Sequence, residues 1–486
     1  MAQLPFSIPV VSLCLAWRST IRGINDITLA DNDSKWQLAW GSAYSHLRAP
    51  DTRQRQQLQT CDKIPGTKSR PSHQIFRTMP MRLETLETFI VGTPPPGFGG
   101  RYFIFVRLHT ACGISGVGEI YAASFAPEVI CHMAEDMFAR YLQGEAPDRI
   151  EQFWRQVHGS GFTHRPDATV QGVFSGLEMA CWDIVGKALD RPVHALLGGK
   201  VNERLRTYTY LYPPDDSDAA DFYNDPHASA EVAARCVEEG FTAVKFDPAG
   251  PYTVHDGRMP DLESLARSES FCRDIRAAVG DKADLLFGTH GQFTAAGALR
   301  LAERIAPFDP LWFEEPCPPD MPEEMAKVAA GTNIPVATGE RLCTKFEFAR
   351  VLQTGAAAIL QPNLGRAGGI LEGKKIAAIA ETHYAQIAPH LYCGPVVAAA
   401  NIQLAACIPN FLILESIRKM DGFHAALLQT PLTWEDGHII VPDTPGLGVT
   451  LDDDAIAAHP WTGSQLHLEM QGTPHDPQRN GKFGGG

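Results

Sequence analysis

Along the second half of the chain, short apolar runs alternate with polar tips and then with helical stretches. The runs are Phe241–Val244, Leu285–Phe287, Leu311–Phe313, Ile334–Ala337, Ala358–Leu360, Ala385–Ala388 and Phe411–Leu414. Each is too short for a helix and ends in polar residues, so each predicts a buried strand. The tips that follow are Lys245-Phe246-Asp247, Gly288-Thr289-His290, Glu314-Glu315-Pro316, Gly339-Glu340-Arg341, Gln361-Pro362-Asn363, Pro389-His390 and Glu415-Ser416. From Glu314 the successive steps to Glu340, Asn363, His390 and Glu415 are 26, 23, 27 and 25 residues. Strand, polar tip and helix within such a step make a βα unit. Repeated units predict a (β/α) barrel whose strand tips converge on one mouth. Leu205–Leu211 predicts the opening strand, and helices are expected at Ser229–Glu239, Leu262–Val279, Thr294–Ile305, Gly368–His383 and Pro395–Cys407, among others.

Upstream, Met81–Ala122 predicts a strand meander, followed by helical periodicity in Ala126–Leu142, Pro147–Val157 and Val170–Leu189. After Glu415, Trp434–Val441 and Pro445–Val449 suggest a hairpin-like return. The expected organisation is a capping domain at 81–203, a barrel at 204–430, a return to the cap at 431–470 and an unstructured polar tail at 471–486. Residues 1–80 are read as an extension or a start-site artefact, because their periodicity is poor and Met81 opens a clean strand-like stretch. The run Leu4–Trp17 is broken by Pro5, Ser7 and Pro9, which argues against a secretory signal, and it is too short to span a bilayer.

The formal charge is −14 over 486 residues, and residues 1–80 are net basic, so the remainder carries about −19. An acidic body argues against nucleic acid or an anionic membrane as partner. Eleven scattered cysteines without a CxxC pattern read as reduced thiols, and the expected location is cytoplasmic.

Ser175-Gly-Leu-Glu-Met-Ala-Cys-Trp-Asp183, with Ile-Val-Gly-Lys187 and Pro192-Val-His-Ala-Leu-Leu-Gly-Gly199, resembles the signature helix of the mandelate racemase/muconate lactonizing branch of the enolase superfamily. The stretch Gly339–Glu415 is most similar to the D-galactonate dehydratase type of acid-sugar dehydratase, through Ile359-Leu-Gln-Pro362, Ala367-Gly-Gly-Ile370, Ala388-Pro-His390 and Gly394-Pro395. The resemblance covers about Met81–Thr462. It implies an α/β fold, an enolase-like (β/α)7β-type barrel with an α+β cap built from the N-terminal part and the C-terminal tail.

The resemblance also implies a chemistry: removal of the proton next to a carboxylate, with Mg²⁺ holding the enediolate. Glu314 and Glu340 match the family's ligands on barrel strands four and five. The third-strand ligand position is Gly288, which has no donor atom. Three readings stay open: Asp247 swings in, water fills the gap, or the metal site is lost. Asp247 is the expected third ligand.

His290 and His390 are the expected acid/base pair, since histidine titrates near neutral pH. Lys245 is expected to support them as base or carboxylate-binding cation, and Glu415 to hydrogen-bond the enolate oxygen. Where the family carries Asp beside the seventh-strand histidine, this chain has Asn363, so His390 is expected to be a weaker base. His255, Asn363, Arg341 and His164 are expected to contact substrate. The implied activity is Mg²⁺-dependent dehydration of an aldonic or aldaric acid to a 2-keto-3-deoxy acid, by a homo-oligomer. The alternatives are a racemase, epimerase or cycloisomerase using the same first step, and a catalytically weak sugar-acid binder.

Overall fold

The computed structural model describes residues 81–214 and 219–476. The chain divides into two compact units, Met1–Pro71 and Ser72–Gly486, and every described residue belongs to the second. The expectations for residues 1–80 and for the end of the tail lie outside the described residues.

Strands β1 (Leu83–Gly92), β2 (Tyr102–Thr110) and β3 (Ser115–Ile120) form an antiparallel meander in the order β1-β2-β3. Against it packs the long helix Ala168–Leu189, started by Asp167, whose carboxylate accepts from the N–H groups of Thr169 and Val170. Gly116, Gly118 and Gly176 let the helix press on the sheet, since a Cβ on Gly118 would lie 1.8 Å from the Gly176 carbonyl oxygen.

The barrel begins with β4 (Arg204–Tyr210). It continues through β5 (Ala243–Phe246), β6 (Asp284–Gly288), β7 (Trp312–Glu314), β8 (Val336–Thr338), β9 (Ile359–Leu360), β10 (Gln386–Ile387) and β11 (Leu414–Ser416). Neighbours pair in parallel from β4 to β10. The ring closes through β11 on β4 and through the parallel bridge Ile387–Phe411. Tyr208, Ala243, Leu286, Trp312, Ala337, Ile359, Ala388 and Ile413, one from each strand or its edge, form a dry core inside the ring. That plug leaves the upper mouth as the place where polar tips meet. The helix Leu262–Val279 has the predicted bounds, and the others start or stop within a few residues of theirs.

The hairpin β12 (Trp434–Glu435) and β13 (His438–Ile440) pairs β13 with the start of β4. Beyond it the chain does reach the cap, where Trp461 N–H donates to the Ile90 carbonyl and Val91 bridges Pro460. The expectation of an unstructured tail from residue 471 fails for its first residues. Gln471 bridges Thr253, and His475 Nε2 lies 3.0 Å from Asp261. Polar composition alone missed this segment because its partners are loop residues far away in sequence.

Two buried carboxylates lock cap to barrel. Glu119, on β3, accepts the N–H groups of Gly394, Val396 and Val397 at the start of the helix Pro395–Ala406. Glu178 accepts those of Ile370 and Leu371 at the start of the helix Gly369–Glu381, and the Trp182 indole N–H. Helix N-termini favour such anions, because their first N–H groups lack intrahelical partners. Replacing Glu178 with Ala orphans three donors and should cost roughly 3 kcal/mol or more. Chemical denaturation of the variant checks this, and an unchanged midpoint would sink the locking role.

Candidate active site

The cleft at the barrel mouth encloses about 730 Å³ and is lined by Lys245, His290, Glu340, His390 and Glu415, by six tyrosines and by Leu468. Every side chain expected to carry chemistry on a strand tip is buried or half-buried there or directly behind it. Convergence of groups separated by up to 170 residues follows from the parallel register, which puts all strand C-termini at one end.

His290 follows the end of β6 in a left-handed backbone conformation, φ 45°. Such a conformation needs outside support in a non-glycine residue. Arg341 supplies it: its guanidinium donates to the His290 carbonyl oxygen at 2.7 Å and pairs with Glu315 at 2.7 Å. The His290 ring is fixed by Asp247, whose Oδ2 lies 2.5 Å from Nδ1 and also accepts from the Tyr252 hydroxyl at 2.9 Å. This leaves Nε2 facing the cleft, 3.7 Å from Glu340 Oε1. Burial acts to lower the His290 pKa, but the charges of Glu340 and Asp247 outweigh it and raise it to about 9.

His390 is set the opposite way. Gly365 N–H can only donate, and it points at Asn363 Oδ1, 2.9 Å away. The Asn363 amide nitrogen therefore faces His390 Nδ1 at 2.9 Å. Nδ1 must accept, so the neutral ring carries its proton on Nε2. That Nε2 lies 3.3 Å from Glu340 and 3.8 Å from Glu415. Burial is the main reason its pKa is pushed down to about 4, with Glu340 opposing and Lys245 assisting the shift.

Lys245 is 2% exposed, and its Nζ lies 2.6 Å from Glu314 Oε1 and 3.5 Å from Glu415 Oε1. Burial opposes its charge, yet Glu314 and Glu415 hold its pKa well above the ordinary lysine value. Lys245 is thus paired with carboxylates on two neighbouring strand tips. Burial raises the Glu415 pKa, with Lys245 and the Leu391 N–H opposing. Glu340 is driven well below the usual range: burial acts against this, and His290, His390 and Lys245 outweigh it.

The structure does not assemble the expected ligand set of Asp247, Glu314 and Glu340. Among the described residues no group of three or more His, Cys, Asp or Glu side chains is placed to hold a metal ion. Asp247 is turned to His290 and Tyr252 instead. Glu314 spends one oxygen on Lys245 and the other on Gln361 Nε2 at 2.8 Å. Two of the four expected substrate contacts act behind the cleft: Arg341 braces His290, and Asn363 orients His390. His255 and His164 are exposed and do not line the cleft.

Sequence reasoning missed the tyrosines 121, 210, 212, 223, 252 and 392. A signal was available for two of them: the Tyr208, Tyr210, Tyr212 alternation puts the ring of each on one side of the first barrel strand and its extension. Tyr392 and Tyr252 sit in loops, where no periodicity marks them.

An eight-stranded parallel barrel with a cap on its mouth and opposed histidines above a buried cation defines an enolase-type enzyme. Residues 98–198 match the mandelate racemase/muconate lactonizing enzyme N-terminal domain, and residues 228–455 match the enolase C-terminal domain-like family. The D-xylonate dehydratase of Haloferax volcanii is 35% identical over 76% of this chain and 88% of that protein. A D-galactonate dehydratase of Ralstonia nicotianae is 33% identical over 72% and 89%. Among solved structures, a mandelate racemase/muconate lactonizing enzyme from Sulfitobacter superposes with a TM-score of 0.80 at 58% identity, over 82% of this chain and all of the other. One from Labrenzia alexandrii, assigned to the same enzymes, has a TM-score of 0.80 at 65% identity over the same shares. The chain belongs to the mandelate racemase/muconate lactonizing enzyme family of the enolase superfamily, and it is related to acid-sugar dehydratases. Members of this superfamily generally use Mg²⁺. Among the described residues no helix is long and apolar enough to cross a membrane.

Proposed function

We propose that this enzyme is a hydro-lyase that removes water from an aldonic acid to give a 2-keto-3-deoxy acid. The observation that carries the reading is the Asp247–His290 pair, which aims one imidazole nitrogen into the cleft opposite His390 Nε2. Relatives that dehydrate xylonate and galactonate support the reaction class.

Asp247 accepts from Nδ1–H of neutral His290 and so keeps the lone pair on Nε2, the geometry of a general base. That nitrogen takes the proton alpha to the substrate carboxylate. The pair of electrons left behind moves into the carboxylate, making an enediolate. His390 Nε2–H and the Lys245 ammonium donate toward its oxygens, where negative charge develops. The proton now on His290 Nε2 passes to the β-hydroxyl as its C–O bond breaks, releasing water. The enol product then becomes the 2-keto acid, and His290 is neutral again.

His390 is a donor here and not a second base, because its cleft-facing nitrogen carries the proton. This weighs against a two-base racemase. Epimerase and cycloisomerase endings share the first step and differ in product.

The cleft favours an aldonate over an aldarate. Among the described residues lining it, Lys245 is the only lysine or arginine. One carboxylate is therefore received, and the tyrosine hydroxyls are left to meet sugar hydroxyls.

Magnesium would need oxygen donors, and in this family pattern Glu314 and Glu340 would hold it. The residues present fit only part of such a site: Gly288 offers no donor and Lys245 occupies one oxygen of Glu314, while Asp247 gives Oδ2 to His290 and Tyr252 and leaves Oδ1, like Glu340 Oε2, without a hydrogen-bond partner. No step is assigned to the ion.

A panel of stereochemically diverse aldonates and aldarates, assayed for 2-keto product with and without Mg²⁺, tests the reading. Turnover of an aldonate is expected, and turnover confined to aldarates would contradict the one-carboxylate cleft. Within the same assay, Asp247→Asn should lower kcat by roughly a hundredfold or more. It should also move the pH rise of kcat/KM below the wild-type position. An unmoved profile would remove Asp247 from the role of positioning His290.

A further inference from the structure

We propose that Lys245 supplies, as a fixed ammonium, the positive charge that the superfamily generally draws from Mg²⁺, so that this enzyme turns over without a divalent cation. The inference rests on the proposed enediolate chemistry but concerns how its charge is held.

The argument begins at Gly288. A side chain there would project toward β5: an added Cβ would lie 3.7 Å from Lys245 Cε and 3.7 Å from Asp247 Cβ. The lysine stem thus runs at van der Waals contact distance from the strand position where the family pattern has its third carboxylate, and Gly288 itself offers no donor. From that stem Nζ reaches Glu314 at 2.6 Å and Glu415 at 3.5 Å, with the side chain 3% exposed.

A buried ammonium among carboxylates is held by charge pairing and is costly to remove. It also competes directly for Glu314. A divalent ion entering here would be placed beside an ammonium, and repulsion in a low-dielectric site is strong. The remaining oxygen of Glu314 is held by Gln361, and Asp247 Oδ2 by His290 and Tyr252, which leaves Asp247 Oδ1 as the one carboxylate oxygen of that pair without a hydrogen-bond partner. Nothing on the third strand compensates. Lys245 also lines the cleft, so the same charge faces a bound substrate carboxylate.

The test has two readouts, one independent of turnover. Chelator-treated full-length enzyme is titrated with Mn²⁺ and followed by electron paramagnetic resonance of the free ion. No stoichiometric uptake is expected up to millimolar Mn²⁺. Lys245→Ala combined with Gly288→Asp should gain about one Mn²⁺ per chain, because it clears the ammonium and restores the third carboxylate. Stoichiometric tight uptake by the wild type, or none by a folded double variant, would overturn the proposal. In turnover or α-proton exchange, EDTA should leave the wild type unchanged. Lys245→Met should lose about a thousandfold, with no rescue by Mg²⁺. EDTA inactivation reversed by Mg²⁺ would also overturn it. If no sugar acid turns over or exchanges, the dehydratase reading fails while the Mn²⁺ result still decides the role of Lys245.

Discussion

Exchange of His290 for Asn should lower kcat by about a thousandfold or more and stop exchange of the substrate α-proton with solvent. Both losses are expected together because one imidazole nitrogen takes the proton and later returns it. General acid and base work by a positioned side chain contributes about 10² to 10⁴ each way. A pH profile of the wild type carries the same information. The conjugate acid of His290 is held at about 9 by Glu340 and Asp247 against burial. The base is the neutral form, which grows as pH rises. So kcat/KM should climb with unit slope below about 9 and level off above it. His390→Asn removes only a donor. It should cost roughly ten- to a hundredfold and leave α-proton exchange measurable. Equal loss of exchange in both variants would contradict the assignment of roles.

Exchange of Glu340 for Gln should be nearly as damaging, by a different route. Glu340 lies within 3.7 Å of His290 Nε2 and 3.3 Å of His390 Nε2, and its Oε2 has no hydrogen-bond donor in the site. Among the charges that raise the His290 pKa, Glu340 stands first. Gln keeps the shape and removes the charge. The pH rise of kcat/KM should therefore move to lower pH, while the ceiling falls by about a hundredfold or more. The fall reflects a weaker base. A profile that keeps its position but loses height would show Glu340 acting through something other than His290.

Much of this site is legible in the sequence. The repeated interval from Glu314 to Glu415 fixed the barrel, because parallel strands must end on the same side and each βα step has nearly constant length. His290, His390, Glu340 and Glu415 were found as strand-tip residues for that reason. The role of Lys245 was left between base and bound cation, since sequence does not say which carboxylates surround a side chain. Asp247 is expected among the metal ligands because it follows β5 on a tip next to Gly288, adjacent tips lie about 5 Å apart, and a carboxylate is the right donor. Its turn toward His290 depends on rotamer and on the Tyr252 hydroxyl, which no interval encodes.

Arg341 and Asn363 are expected from the sequence to contact substrate. Their actual partners, the His290 carbonyl oxygen and the His390 ring, lie on adjacent tips. His255 and His164 are exposed and lie outside the cleft lining, a placement that residue type and loop position do not encode. The cap–barrel locks through Glu119 and Glu178 were invisible, because a buried carboxylate at a remote helix start has no local pattern.

The most direct test of the central claim is to react the enzyme with its best aldonate in D₂O and to identify the product by mass and proton NMR. The account predicts a product lighter by one water, a 2-keto acid with a solvent-derived hydrogen at carbon 3. An isomer of unchanged elemental composition, epimerised or cyclised at carbon 2, would contradict dehydration while keeping the α-proton chemistry.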